Sequence, residues 1–438
     1  MVFRIIIIAS IACVALLPPV CLAQNSGEAF SKTSQAAAEL DSTSGLGDYI
    51  AYALTQNPIL QAYAGMHAAS LESPAQAKAF PEPVFSFGYF LSSPETRVGP
   101  QEWTFRFSQK LPFFGKQGLK ADIAATEAEV WGRTYDARAL DLIRDVKHAY
   151  YDYYRVYQVT RITEEEKGIV REMQNIAQVK YASGTATQQD VLKAQLTLSR
   201  LDERLTTLRR DLVSVTTRLN NLMNRPPTAA LAAPHFEETP ADWANIDALY
   251  ERALAGRPEA AVADLNIEKA EKSQSLAKRQ YYPDLTLAVN YITVGERSIP
   301  VEDNGKDILH VGASINLPIW YGTLGAAVKE SEARIAVARH QRIGLRAQIK
   351  SEVRDAHSRV ESARELVELH RDVIIPQAEQ TFRASQAGYQ TGRVDFLDLL
   401  DSERMLLSVR QTYFALVAEL GKQAADLERT VGEGRRSP

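Results

Sequence analysis

Two periods alternate along this chain. Long stretches repeat their apolar positions every three or four residues, and four short stretches repeat them every two. In the first short stretch Phe85, Phe87, Tyr89 and Leu91 oppose Ser86 and Gly88, and in the second Trp103, Phe105 and Phe107 oppose Thr104, Arg106, Ser108 and Lys110. The later pair sets Leu285, Leu287, Val289 and Tyr291 against Thr286, Ala288 and Asn290, then Leu309, Val311, Ala313, Ile315 and Leu317 against His310, Gly312, Ser314 and Asn316. A period of two with one apolar face predicts strands over about 83–91, 102–111, 284–292 and 308–317. Between them the heptad-like series Leu198, Leu201, Leu205, Leu208, Leu212, Val215, Leu219, Leu222, and the sevenfold series Leu399, Leu406, Tyr413, Leu420, Leu427, predict helices packed as coiled coils.

The helices and strands occur in two matching sets. Tyr181-x2-Gly184-x5-Asp190-Val191-Leu192 returns as Tyr389-x2-Gly392-x5-Asp398-Leu399-Leu400, displaced by 208 residues. Ala53-Leu54-x3-Pro58 returns as Ala253-Leu254-x3-Pro258, and Leu111-Pro112-Phe113 as Leu317-Pro318-Ile319. A glycine accepts the positive φ that ends a helix, so each Tyr-x2-Gly turn reads as the tip of a long helical hairpin. A helix over 115–181 has about 67 residues and is ~100 Å long at 1.5 Å per residue. The helices predicted over 46–79 and 188–224, set end to end, match that length, and 245–280 plus 394–430 match a helix over 321–389. Such lengths describe a wall of uniform height. The charged run Glu164-Glu165-Glu166-Lys167 is expected on a wetted helix face.

Composition narrows the setting. The 438 residues are 45% hydrophobic with a net charge of −4, which gives no reason to expect nucleic acid. Residues 1–23 read as an export signal, with Arg4, an apolar run from Ile5 to Leu17, and small residues before the cut at Ala23. Both cysteines, Cys13 and Cys21, fall inside it, and lipidation at Cys21 is the other reading of that segment. A polar extension, 24–44, precedes the first repeat, 45–225; a linker with Pro226, Pro227, Pro234 and Pro240 spans 226–244; the second repeat spans 245–432 and a tail 433–438. The seven histidines form no ligand cluster, and no phosphate loop or nucleophile motif occurs, so neither an enzyme nor a cofactor is expected. No later stretch reaches transmembrane-helix length, so membrane contact would use the strands. Four strands cannot close a barrel, and an open edge in lipid leaves backbone groups unsatisfied. A membrane reading therefore requires several copies; a soluble sheet with one buried face alternates in the same way.

The duplicated Ala-Leu-x3-Pro helix, the strand pairs and the duplicated tip resemble the outer membrane efflux protein (TolC-like) family over essentially all of the chain after the signal. The stretch from Ser108 to Lys116, containing Leu111-Pro112-Phe113-Phe114-Gly115, resembles its heavy-metal-efflux (CusC/CzcC-like) branch. The resemblance implies a mainly α fold with membrane β. Three chains of four strands would complete a twelve-stranded barrel in outer membrane lipid, continued by a helical tunnel across the periplasm of a Gram-negative cell. It implies a homotrimer, a periplasmic adaptor (membrane fusion protein) and an inner-membrane pump of the RND type, with the chain a passive exit duct, for metal cations in that branch.

Family positions at a periplasmic constriction fall here on Tyr389, Asp398 and Asp401. Copy one carries Asp190 but Lys193 where a second carboxylate would stand. Positions near the adaptor contact fall on Tyr181, Gly184, Thr185, Asp190, Gly392 and Arg393. Asp398 and Asp401 are three apart and share a helical face, so three copies would set six carboxylates around an axis. Tyr389, Lys193 or Arg393 is expected to hold that ring shut. Two other readings stay open: a periplasmic adaptor, which also carries a helical hairpin, and a coiled-coil structural protein of the cell envelope.

Overall fold

The computed structural model describes residues 40–41, 43–236, 243, 245–298 and 302–433. The export-signal reading, both cysteines, and nearly all of the extension and tail lie outside them. The first repeat begins with three short helices, α1 (Leu46–Gln56), α2 (Pro58–Leu71) and α3 (Ser73–Lys78). Strands β1 (Val84–Tyr89), β2 (Glu95–Thr96) and β3 (Gly99–Leu111) follow, and then α4 (Lys116–Ala182) and α5 (Gln188–Leu222). The second repeat runs α6 (Ile246–Gly256), α7 (Pro258–Arg279), β4 (Leu285–Val294), β5 (Ile308–Ile315) and α8 (Tyr321–Leu369). A π turn (His370–Ile374) leads to α9 (Ile375–Gln390), and α10 (Phe396–Val431) ends it.

Three helices expected to be continuous are interrupted, each at or beside a proline. Pro58 and Pro258 open α2 and α7, and the residues before them, Asn57 and Arg257, are extended at ψ 119° and 124°. A proline has no N–H to give and its ring crowds the preceding residue out of the helical region. The Asn57 side chain fills the gap, accepting from Leu60 N at 3.0 Å and donating to the Leu222 carbonyl at 2.9 Å. The rod over 321–389 is interrupted by the π turn just before Pro376. There the Ile375 N–H bonds the His370 carbonyl five residues back, and the wider turn makes room for the proline ring. Copy one has no such proline, and α4 runs 67 residues without a break.

The sheet has the order β1-β3-β4-β5, with every pair antiparallel. Its register lines up the predicted faces: Phe85 opposes Phe107, Phe107 opposes Val289, and Val289 opposes Val311. On the other side Ser86, Arg106, Asn290 and His310 form one row. None of the described residues covers the apolar rows, and Phe87 and Val311 remain 72% and 70% exposed. The loop expected over 92–100 is partly ordered as β2, which folds back on Gly99 and Pro100. Gly305 N–H donates to the Val98 carbonyl at 2.7 Å, so the loops at that end of the sheet are tied together.

Helices and sheet meet at a charged joint. The Lys116 ammonium, with the residue 3% exposed, donates to Asp284 Oδ1 at 2.7 Å and to the Tyr282 carbonyl at 2.8 Å. Phe113 N–H adds a second bond to Asp284 Oδ1 and Lys110 a contact to Oδ2 at 3.1 Å. Further along the rods, the main core gathers Tyr49, Val146, Tyr150, Tyr153, Leu219 and Leu427. Tyrosine hydroxyls clamp the proline-rich linker there. Tyr49 accepts from Ala232 N–H, Tyr153 donates to the Ala232 carbonyl, and Tyr150 bridges the N–H and carbonyl of His235. The breaks at Arg257 and Pro258 are held by Arg257–Glu352 and Arg429–Glu259 pairs, both at 2.5 Å, and by Arg429–Asp141 at 2.7 Å. A second, smaller core of Met173, Ala194, Phe382, Tyr389, Phe396 and Leu400 lies at the tips.

Candidate functional site: the paired hairpin tips

The two tips use the same backbone chemistry. After α4, Gly184 takes φ +72°, and Thr185 and Ala186 N–H groups both donate to the Lys180 carbonyl, at 2.8 and 3.2 Å. After α9, Gly392 takes φ +75°, and Arg393 and Val394 donate to the Gly388 carbonyl, at 2.8 and 3.3 Å. The orphan carbonyls of each helix end are thereby satisfied. A Cβ at Gly184 or Gly392 would meet nothing within 4 Å, so positive φ alone demands glycine at both positions. The outgoing helices are capped by acids. Asp190 accepts from Thr187 N–H at 3.1 Å, and Asp395 accepts from Leu397 N–H at 2.5 Å.

Between the tips lies an open groove of about 450 Å³ lined by Lys180, Asp190, Lys193, Tyr389, Arg393 and Asp395. The structure brings Tyr389 and Asp190 together here, with Thr185 and Arg393 beside them. Tyr181 is 49% exposed on the end of α4. Tyr389 is buried, its ring 5.3 Å from that of Phe396, and the Lys180 ammonium sits 4.3 Å from its ring centroid while bonding its carbonyl. Burial and the nearby Asp190 carboxylate push the Tyr389 phenol upward.

Asp398 and Asp401 stand apart from that groove. Both are exposed, whereas Leu399 and Leu400 between them are buried, so the shared acidic face predicted from their spacing is present. Within the chain the brace expected from Tyr389, Lys193 or Arg393 does not form. Asp401 pairs instead with Arg404, one turn along, at 3.5 Å, and the Tyr389 hydroxyl has no hydrogen-bond partner. The physical reason is packing: the Tyr389 ring is drawn into the apolar cluster with Phe396, so its hydroxyl is not presented at the acidic face.

Two residues of consequence were not legible as such. Lys180 pins the two tips together, and only its place one residue before the repeated tyrosine pointed to it. Glu166, read with its charged run as wetted, is 2% exposed and faces the equally buried Glu403. Four consecutive helical residues wrap beyond one face. Glu166 falls in the buried stripe of Ile162, Thr163 and Val170, while Glu164 and Glu165 stay in solvent.

Comparison with known proteins agrees with this duplicated architecture. The cobalt-zinc-cadmium resistance protein CzcC of Cupriavidus metallidurans is 21% identical over 349 residues, covering 77% of this chain and 79% of its own. The structure of VceC from Vibrio cholerae superposes with a TM-score of 0.72 at 20% identity, over 89% of this chain and 96% of that one. That of CusC superposes with a TM-score of 0.73 at 17% identity, over 90% and 96%. The sequence pattern described as "Outer membrane efflux protein" matches twice, at residues 49–225 and 249–433. With both copies of the repeat matched and the fold shared across nearly the full length, the chain belongs to the outer membrane efflux protein family.

Proposed function

We propose that the protein is the outer membrane exit duct of a tripartite efflux system. It would work as a homotrimer, with a periplasmic adaptor seated on the hairpin tips and an RND-type pump in the inner membrane. The observation that carries this reading is the uncovered apolar face of a four-strand sheet with two free edges, set at the end of rods of matched height. Three such sheets closed edge to edge leave no unpaired strand in lipid and put the row of Ser86, Arg106, Asn290 and His310 inside. The adaptor and structural-protein readings leave that sheet without a use.

Tyr181, Gly184, Thr185, Asp190, Gly392 and Arg393 form the docking end in this reading, and Asp398 and Asp401 the constriction. Six exposed carboxylates around an axis favour cations and repel one another, and Arg404 offsets part of that repulsion in each copy. Single-channel recording of an Asp398→Ala, Asp401→Ala variant tests the constriction. Higher conductance is expected, and conductance equal to that of the parent would remove these residues from the role.

The cargo is inferred to be divalent metal cations. Support comes from the likeness to CzcC, by its name a cobalt-zinc-cadmium resistance protein, and from the Ser108-to-Lys116 stretch. Cells lacking the chain should lose tolerance to cobalt, zinc or cadmium and regain it on complementation. Unchanged metal tolerance with lost tolerance to organic compounds would redirect the cargo.

A further inference from the structure

Glu166 on α4 and Glu403 on α10 are the only carboxylate side chains buried among the described residues, at 2% and 1% exposure. They lie away from the tip groove. Glu403 is seven residues, about 11 Å, into α10, on the side opposite the exposed Asp398 and Asp401. Glu166 Oε1 and both Glu403 oxygens receive no hydrogen-bond donor. Two facing carboxylates in such a place cannot both be ionised, because each desolvated charge raises the cost of the other. A proton held between them supplies the missing donor. Burial, and then the facing carboxyl, push Glu403 up to about 9, and burial pushes Glu166 upward.

The surrounding charges do not neutralise the pair. Arg410 acts on Glu166 but is taken up by Glu379 of α9 at 2.6 Å. Arg404 acts on Glu403 but reaches out to Asp401 and to Thr197 of α5, at 3.5 and 3.4 Å. Glu165, exposed on α4, adds negative charge. The second hairpin also carries a break that the first lacks, the π turn between α8 and α9. The incoming rod of that hairpin is thus interrupted, while its outgoing helix, α10, is continuous and meets α4 through this carboxyl pair.

We propose that Glu166 and Glu403 share one proton, and that this proton latches the lower part of α10, with Asp398 and Asp401, onto α4. When it is lost, two carboxylates face each other and the segment swings out toward water. The consequence for the tunnel end rests on the duct reading; the latch itself does not. In the released segment both glutamates return toward the ordinary value of 4.5. Closed favours the proton and open does not, so the ratio of open to closed rises about tenfold per pH unit between that value and the raised one. Acid holds the latch and alkali frees it.

Two measurements on the purified full-length protein test this. Infrared spectroscopy should show the carbonyl stretch of a protonated, buried carboxylic acid at pH 7, lost in Glu403→Gln; its absence would overturn the shared proton. Amide hydrogen exchange over 397–410 is then compared between the parent and Glu403→Gln at matched pH, which cancels the intrinsic pH dependence of exchange. The glutamine keeps an N–H donor toward Glu166 but cannot ionise. The exchange ratio of parent to variant is expected to climb about tenfold per unit up to about pH 9. Glu166→Gln should flatten the profile likewise, guarding against a fault peculiar to one variant. A ratio that ignores pH overturns the latch, and one that follows added zinc instead replaces the proton with a cation. Absence of conductance at every pH would count against the duct alone, leaving the exchange ratio readable.

Discussion

Asp284 shows how much one side chain can anchor. It sits between the last residues of α7 and the first of β4, and takes Lys116, Lys110 and the Phe113 N–H at once. Burial acts to raise its pKa, but the Lys116 and Phe113 hydrogen bonds and Lys110 outweigh it and hold the carboxyl down at about 2. A depressed carboxyl stabilises the fold fully above its unfolded value and ceases to do so as pH falls through the folded one. The joint's contribution should therefore be constant above about pH 4 and fade toward pH 2. Asp284→Asn leaves the Lys116 ammonium buried without its counter-ion and should cost about 3–5 kcal/mol. Lys116→Met, which removes the buried charge, should cost less. Urea unfolding of the purified variants measures both, and equal stability of Asp284→Asn and parent would show that the pair does not hold the joint.

At the scale of elements, prolines and periodicity made different kinds of statement. The repeated Ala-Leu-x3-Pro motif was visible at Pro58 and Pro258, yet the helices were expected to run through it. The structure stops them, because the break is stabilised by partners far along the chain: Asn57 with Leu222, and Arg257 with Glu352. Strand faces, by contrast, were fully readable. A period of two leaves one choice, and the row from Phe85 through Phe107 and Val289 to Val311 follows it, the register shifting only between Gln101 and Trp103. That face carries a discriminating substitution. Val311 is 70% exposed, so Val311→Arg would be harmless if the face met water. Facing the lipid midplane it should cost about 2–4 kcal/mol. Reduced recovery of Val311→Arg from outer membrane fractions is the expected result, and recovery equal to the parent would place the face in water.

For the molecule as a whole, the two tips illustrate what duplication alone can and cannot carry. Their backbones are alike down to the paired donations onto Lys180 and Gly388, as the shared Tyr-x2-Gly spacing required. Their side chains have diverged. Tyr181 is half exposed, while Tyr389 is buried under Lys180. Val394 packs so closely over Gly388 that a Cβ there would collide with it, an approach the first tip has no counterpart for, since Lys180 occupies the equivalent position. The second hairpin also has the π turn, and its buried Glu403 faces Glu166 of α4. The asymmetry sets a second hairpin with an interrupted incoming helix beside a continuous α4.

By itself the sequence determined the repeat, the strand faces and the glycine tips. Each of these rests on interactions within a few residues or on a fixed period, and local chemistry suffices to specify them. Only the tertiary structure decided which charges are buried and with whom. Glu166 meets Glu403, Lys116 meets Asp284, and Lys180 meets Tyr389. Those partners lie more than 160 residues apart, and a side chain's solvation is set by the element that happens to cover it, which no local pattern records.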